Sequence, residues 1–447
     1  MSGSRRGACP SLAAPMPTGD GLLARIGTGG ATIALEAMAA LCAAARRYGN
    51  GIIEVTARGS IQARGLRPES AGAFAQAIAA FDIFSNDGVP ILADPLAGLE
   101  PDTAIDAGEL AAALRQLATA SLAARLGPKV TVVIDAGIAL HLDAVAADVR
   151  LRAAGSGGFY LALGGDAVTA TPLGWVAEPR AAEAGIRLLE LIARRGPQAR
   201  ARELLRECET MPAFRAALVD LLRDVSAPAA RPRSEPIGVH SLRGKQAALG
   251  IGLAFGHTDA NTLTALITAA ERAGAIGLRA APERALLIIG LAREAAAPLA
   301  AHAEHLGFIT RRDDPRRHVV ACAGAPICAA AEIPARALAP VISAAAAHLL
   351  DGSLTLHVSG CPKGCAHPAA AALTIAGGRN GAAVIANGTA RDQPIAQIAA
   401  ADTLPASVAR LAGEVARAKH PHERTAEALA RFGASRIAAI LSEPGHG

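Results

Sequence analysis

RIGTGGATIALEAMAALCAAARRYGNGIIEVTARGSIQARGL occupies residues 25–66, and GIGLAFGHTDANTLTALITAAERAGAIGLRAAPERALLIIGL occupies residues 250–291. The two stretches align without a gap. Ile26-Gly27 falls on Ile251-Gly252, Ala44-Ala45 on Ala269-Ala270, Arg47 on Arg272, and Gly65-Leu66 on Gly290-Leu291, every pair 225 residues apart. Alanine-rich text can mimic part of such a match, but not the Ile-Gly and Gly-Leu pairs, so the chain carries an internal duplication. Each copy reads strand, helix, strand, strand, helix. Apolar residues recur at helical spacing from Thr32 to Arg47 and stop at Gly49 and Gly51, GIIEVTA alternates as a strand does, and Phe74, Ile78 and Phe81 share one face of a second helix. A unit of this size cannot bury its sheet face alone, so the copies must pack on each other or on further material.

That material is legible as more strand-like text: KVTVVIDAG from Lys129, GFYLALGG from Gly158, GSLTLHVSG from Gly352 and ALTIAGG from Ala372. The pattern predicts an α+β chain in an A-B-A′-B′ order. Its segments are 1–84 (N-terminal arm and first half-domain), 85–230, 231–300 (second half-domain) and 301–447. The Pro/Arg/Ser-rich SAPAARPRSEP at 226–236 marks the central boundary.

Hydrophobic residues make up 51% of the 447, yet aromatics only 2%, so the mean hydropathy of +0.31 reflects alanine-rich helices. No apolar run reaches the roughly 18 residues a spanning helix needs. Arg5 and Arg6 are followed by GACPSLAAPMPTGDG, which has no apolar export region, and the reading is cytoplasmic with no membrane partner. The net charge of +5 comes from scattered arginines, and with so few aromatics for base stacking the pattern suits a polyanionic small molecule rather than nucleic acid.

The most specific chemistry lies in B′. CAGAPIC starts at Cys322 and CPKGC at Cys361, placing four of the seven cysteines within 44 residues. Thiolates so grouped hold tetrahedral zinc or an iron–sulfur cluster. A clip with five intervening residues, Gly324 and Pro326 among them, is wide for zinc and suits a larger cluster; the bland alternative is four inert buried cysteines. Cys42 reads as core, Cys208 as part-exposed on a helix, and Cys9 has no ligand spacing. GTGGA at Gly27 lacks the dinucleotide-loop pattern.

Cys-x5-Cys followed some thirty residues later by Cys-x3-Cys, in a duplicated chain, resembles the sirohaem-dependent nitrite and sulfite reductases. The resemblance implies two ferredoxin-like half-domains plus two α/β domains of the cluster- and tetrapyrrole-binding type, related by a pseudo-two-fold repeat. It also implies a [4Fe-4S] cluster on Cys322, Cys328, Cys361 and Cys365. The chain departs from the reductase pattern: VTARGSIQARG keeps Arg58 and Gln62, Lys129 is followed by Thr131 instead of a second lysine, GVPILADPLAG lacks an arginine, and Lys363 stands where those enzymes carry asparagine.

The RRGACP opening, DPLAG at 94–98 and HVSGCPKGCAHP at 357–368 resemble one branch of that superfamily, the precorrin-3B synthases of oxygen-dependent cobalamin biosynthesis. That resemblance implies a monooxygenase that hydroxylates precorrin-3A at C20 and closes a γ-lactone. It further implies a mononuclear non-haem iron beside the cluster, no sirohaem, and reducing equivalents from NAD(P)H through a reductase or ferredoxin. A tetrapyrrole ringed by carboxylates calls for cations, and the candidates are Arg25, Arg58, Gln62, Arg64, Lys129, Arg279, Arg284 and Lys363. No iron triad is legible; His357 and His367 are the candidates only because they adjoin the cysteines. The alternatives are a sirohaem-dependent nitrite or sulfite reductase and a non-catalytic, metal-stabilised binding protein.

Overall fold

The computed structural model describes residues 10–81, 88–101, 103, 105–122, 124–155 and 157–443; Arg5, Arg6, Cys9 and most of the SNDG stretch lie outside them. The chain forms two compact units. One is built mainly from Leu22–Ile251 and Asp259–Leu306, the other from Gly307–Gly447 with the short pieces Thr18–Gly21 and Gly252–Thr258.

In chain order the first repeat and its follower contain β1 (Met16–Thr18), β2 (Gly21–Ile26), β3 (Ile33–Ala34), α1 (Leu35–Tyr48), β4 (Ile52–Val55), β5 (Ile61–Leu66), α2 (Ala71–Ala79), β6 (Ile91–Ala93), α3 (Ala107–Ser121), β7 (Val132–Asp135), β8 (Ala147–Ala153), β9 (Gly158–Gly165), β10 (Thr171–Ala177), α4 (Ala181–Arg194), α5 (Ala201–Leu204) and α6 (Thr210–Ala216). The second repeat contains β11 (Gly238–Ser241), β12 (Gln246–Gly252), β13 (His257–Asp259), α7 (Ala260–Arg272), β14 (Gly277–Ala281), β15 (Ala285–Ala292) and α8 (Ala296–His305). Its follower contains β16 (Val319–Ala321), α9 (Ala335–Ala345), β17 (Leu356–Ser359), β18 (Ala371–Gly378), β19 (Gly381–Gly388), β20 (Ala396–Ile398), α10 (Leu404–Ala418) and α11 (Thr425–Ser442).

In the first repeat β2, β5 and β4 lie side by side and antiparallel. Alternation puts Ala24, Ile26, Ile53, Val55, Ile61 and Ala63 on one face, all buried. Met38, Leu41 and Cys42 of α1 are buried with them, and burial pushes the Cys42 thiol up to about 11. In the second repeat the order is β11-β12-β15-β14-β3, so an edge strand from the first repeat completes the sheet: Ile33 pairs with Leu278 and Ala34 with Gly277. Reciprocally, the Ala260 amide at the head of α7 donates to the Gly51 carbonyl (2.8 Å). The β4–β5 and β14–β15 turns also meet, through an Arg58–Pro282 bridge and an amide of Glu283 donating to Ala57 O (3.0 Å).

The follower of each repeat has one topology used twice. In β10-β9-β8-β7-β6 the strands β6, β7 and β8 are parallel and β9 and β10 return antiparallel; in β16-β17-β18-β19-β20 the first three are again parallel and the last two antiparallel. Their strands are near-continuous apolar runs because both faces are covered. Leu114 of α3 and Leu188 and Ile192 of α4 pack on Val132, Ile134 and Leu151, while Leu338 and Ile342 of α9 and Leu411 of α10 pack on Leu356, Val358 and Ile375. The duplicated α+β architecture expected from the repeat is the one observed.

Candidate functional site

Three strands of the first repeat carry a polar row on the face opposite α1. Register places Arg25 opposite Gln62 and Gln62 opposite Glu54. With its carboxamide turned to suit its neighbours, Gln62 accepts from Arg25 Nη2 (2.9 Å) and Nε (3.1 Å) and donates to Glu54 Oε2 (3.2 Å). Arg64, two residues along β5 on the same face, pairs with that oxygen at 3.3 Å. Arg284 lies in the β14–β15 turn with φ of 63°, and burial lowers its basicity against the raising charges of Glu283 and Glu54. Four of the arginines and glutamines read from the sequence therefore share one neighbourhood, and Glu54, absent from that reading, organises them. The alternation of GIIEVTA holds the signal: Glu54 is the charged residue between apolar partners.

The equivalent face of the second repeat is closed. Residues 225 positions on from Gln62 and Arg64 are Leu287 and Ile289, packed with Leu96, Leu140, Ile237 and Leu242. Arg279, the counterpart of Glu54, serves this closure: it donates to Thr32 Oγ1 (2.8 Å), Ala97 O (2.9 Å) and Pro95 O (3.3 Å) and is 9% exposed. Those bonds pin the DPLAG segment, so Arg279 is spent on structure. Beside the polar row a cleft is lined by Arg25, Arg58, Arg115, Ser60, the Gly27–Gly30 loop and the edge of β6. Lys129 is exposed ahead of β7 and outside that lining, its carbonyl accepting from Thr131 Oγ1 (3.0 Å).

The cysteines belong to the other unit. Cys322 directly follows β16 and Cys361 closely follows β17, and these strands are parallel neighbours with Ala321 beside Val358. Both clips thus leave the same edge of one sheet at the carboxyl ends of its strands, which is how distant cysteines converge. Burial raises the Cys322 thiol while amides of Gly360 (N to Sγ 3.1 Å) and Gly324 oppose it. Such N–H groups favour thiolate. Gly324 (φ 67°) is forced: a Cβ there would lie 2.3 Å from Ala335 N. The Ala325–Pro326 peptide is cis. The Thr18–Gly21 turn clasps the first clip, with Ala329 N donating to Gly19 O (2.8 Å). A Cβ on Gly19 would stand 2.2 Å from Cys328 Sγ. Lys363 and Cys365 are exposed and Cys361 is buried.

Among the described residues no three of these sulfurs lie within 4.8 Å of one another. His357 is fully buried and meets the His367 ring edge-on at 5.6 Å between centroids. No third metal-ligating atom joins them within 4.8 Å among the described residues.

A group that does gather, Asp135, His141 and Asp143, lies in the first unit and is filled by a guanidinium. Arg231 Nη2 reaches Asp135 Oδ2 (2.5 Å) and Asp143 Oδ1 (2.6 Å), holding the Asp143 carboxyl below its ordinary range despite burial. Asp135 ends β7, while Cys361 lies two residues beyond β17; Asp94 directly follows β6 as Cys322 directly follows β16. Where one half presents cysteines, the other presents buried carboxylates that bind its own loop: Asp94 accepts from Ala136 N, and Glu100 from Ile138 N and Ala139 N.

Comparison with known proteins agrees with this architecture. Residues 14–81 match the nitrite/sulfite reductase ferredoxin-like half domain. A precorrin-3B synthase from Sinorhizobium sp is 38% identical over 99% of this chain and 96% of its own length. The sulfite reductase [ferredoxin] of Mycobacterium tuberculosis (strain ATCC 25618 / H37Rv) is 29% identical over 32% of this chain and 27% of its own. The solved Mycobacterium tuberculosis NirA protein superposes with a TM-score of 0.72 over 93% of this chain and 84% of its own, at 19% identity, and so shares the fold. The full-length match, on a duplicated fold with a cysteine edge in one half, shows that this chain belongs to the precorrin-3B synthase family of enzymes.

Proposed function

We propose that the chain hydroxylates precorrin-3A at C20, using O2, and closes a γ-lactone from a ring acetate. The observation that carries this reading is the half-buried cationic row of the first repeat, set against the apolar plug on the equivalent face of the second. Arg25, Arg58, Arg64 and Arg284 bind carboxylate arms, and Gln62 and Glu54 hold two of those guanidiniums in register. Lys363, exposed between two cluster ligands, is a further contact for a carboxylate, and the reading gives Arg279 and Lys129 no substrate role.

Cys322, Cys328, Cys361 and Cys365 are the ligands of a [4Fe-4S] cluster, which when bound supplies single electrons. This chain's own part is to hold four thiolates at one sheet edge and direct the Gly360 and Gly324 amides at Cys322. A mononuclear iron on His357 and His367 does not fit, since the two rings are in edge contact and no third ligand joins them among the described residues. No step is assigned to it. The reaction is placed in the cytoplasm, with electrons reaching the cluster from NAD(P)H through a separate reductase or ferredoxin. In the first unit's described sequence no helix is long and apolar enough to cross a membrane, nor is any in the second.

The sirohaem reductase reading is disfavoured at Lys129 and Thr131: the first is exposed, and the second is buried with its amide given to Asp148. The test is anaerobic purification, assay of iron, sulfide and extractable tetrapyrrole, and turnover of precorrin-3A under labelled O2. Label in the product with no sirohaem supports the reading; stoichiometric sirohaem with nitrite or sulfite turnover overturns it.

A further inference from the structure

We propose that Arg115 is an additional anchor of the cleft, binding one acetate or propionate arm of a polycarboxylate tetrapyrrole; this rests on reading the cleft as the substrate site. Arg115 lies on α3 and reaches the cleft wall, where Nη2 donates to Ile91 O (3.2 Å) and Gly29 O (3.3 Å). Those bonds fix the guanidinium plane. Its Nε and Nη1 groups make no hydrogen bond within the protein among the described residues.

Among the described residues the charge is also uncompensated. Arg64, Arg200, Arg231 and Arg316 each meet a carboxylate within 3.3 Å, whereas among the described residues no carboxylate pairs with Arg115. Burial alone perturbs it, lowering its basicity. A half-buried guanidinium with no counter-ion carries a desolvation cost that an anionic ligand offsets. The lining supports that ligand: Arg25 and Arg58 share the cleft and no acidic side chain among the described residues lines it. Gly29 (φ 58°) completes the fit, because a Cβ there would sit 3.2 Å from Arg115 Cζ, so only a bare backbone lies comfortably on the guanidinium. The Nη1 group left without a protein partner among the described residues can donate one charge-assisted hydrogen bond to a carboxylate oxygen.

The test titrates the full chain with uroporphyrin III, an octacarboxylic porphyrin, following fluorescence at several salt concentrations. Arg115→Gln is expected to weaken binding about tenfold and flatten the salt dependence; Arg115→Lys, which keeps the charge and loses the planar guanidinium held by Ile91 O and Gly29 O, should fall between. With precorrin-3A, KM should rise in both variants at nearly constant kcat. Should Arg115→Gln not fold, the Lys variant decides on the same titration. Folded variants that bind like wild type, while Arg58→Gln binds weakly, overturn the assignment of Arg115 alone. Wild-type binding insensitive to Arg25, Arg58 and Arg115 substitutions overturns the cleft itself as the substrate site.

Discussion

Asp94 is 1% exposed, and burial, followed by the charge of Asp135, raises its carboxyl to about 7. An unfolded aspartate titrates near 3.9. Between those values the native state binds more protons than the unfolded one, so this group's contribution to stability falls as pH rises from about 4 to 7. Asp94→Asn, which keeps an oxygen for the Ala136 amide, should flatten that decline and raise stability at pH 8 by about 2 kcal/mol. Chemical denaturation at pH 5 and pH 8 measures it; equal slopes for both proteins would reject the coupling. Gly19→Ala addresses the other unit. Its Cβ would collide with Cys328 Sγ, so iron and sulfide content should drop while the far-UV spectrum stays unchanged. Cys361→Ser should remove the cluster and turnover together. At this scale the cysteines were legible because their spacing is local text, and Arg58, Gln62 and Arg64 because they sit in a motif. Arg115 was not, since an arginine in LRQL on a helix looks like any solvated charge until the fold sets it beside a loop 86 residues away.

Elements explain why the two clips converge. A parallel pair places its carboxyl ends side by side whatever the length of the crossover, and α9 bridges β16 and β17 here. The strands and α1 were readable by periodicity, but the pairing of β3 with β14 was not, because a two-residue strand carries no periodic signal. The same unit shows how an element is tied at its start. Asp351 is buried in part, which opposes ionisation, yet Ser353, Lys419 and the Thr425 amide and hydroxyl hold its carboxyl well below the usual range. The bond to Thr425 N caps α11. A depressed carboxyl gives stability above its unfolded pKa and loses it as pH falls below about 4. Asp351→Ala should cost about 1–2 kcal/mol at pH 7, with the deficit shrinking in acid; thermal melts at pH 7 and pH 3 read both.

The whole molecule uses its duplication asymmetrically, with one face polar and its counterpart plugged by apolar side chains, and one sheet edge bearing cysteines where the other bears self-satisfied carboxylates. The Pro/Arg/Ser-rich stretch at 226–236, expected from its composition to be the central boundary, lies inside one compact unit and is fastened by Arg231 to Asp135 and Asp143. Arg231→Ala leaves a fully buried aspartate without its cation and should lower stability by about 3 kcal/mol, checked by urea unfolding. The exchange of β3 into the second repeat's sheet, answered by the Ala260–Gly51 bond, has a genetic consequence. Neither copy of the repeat owns a finished sheet, so a gene divided between codons 226 and 236 should give two insoluble products when expressed apart. Co-expressed, the pieces should find each other as subunits of a heterodimer, each completing the other's sheet across two polypeptides.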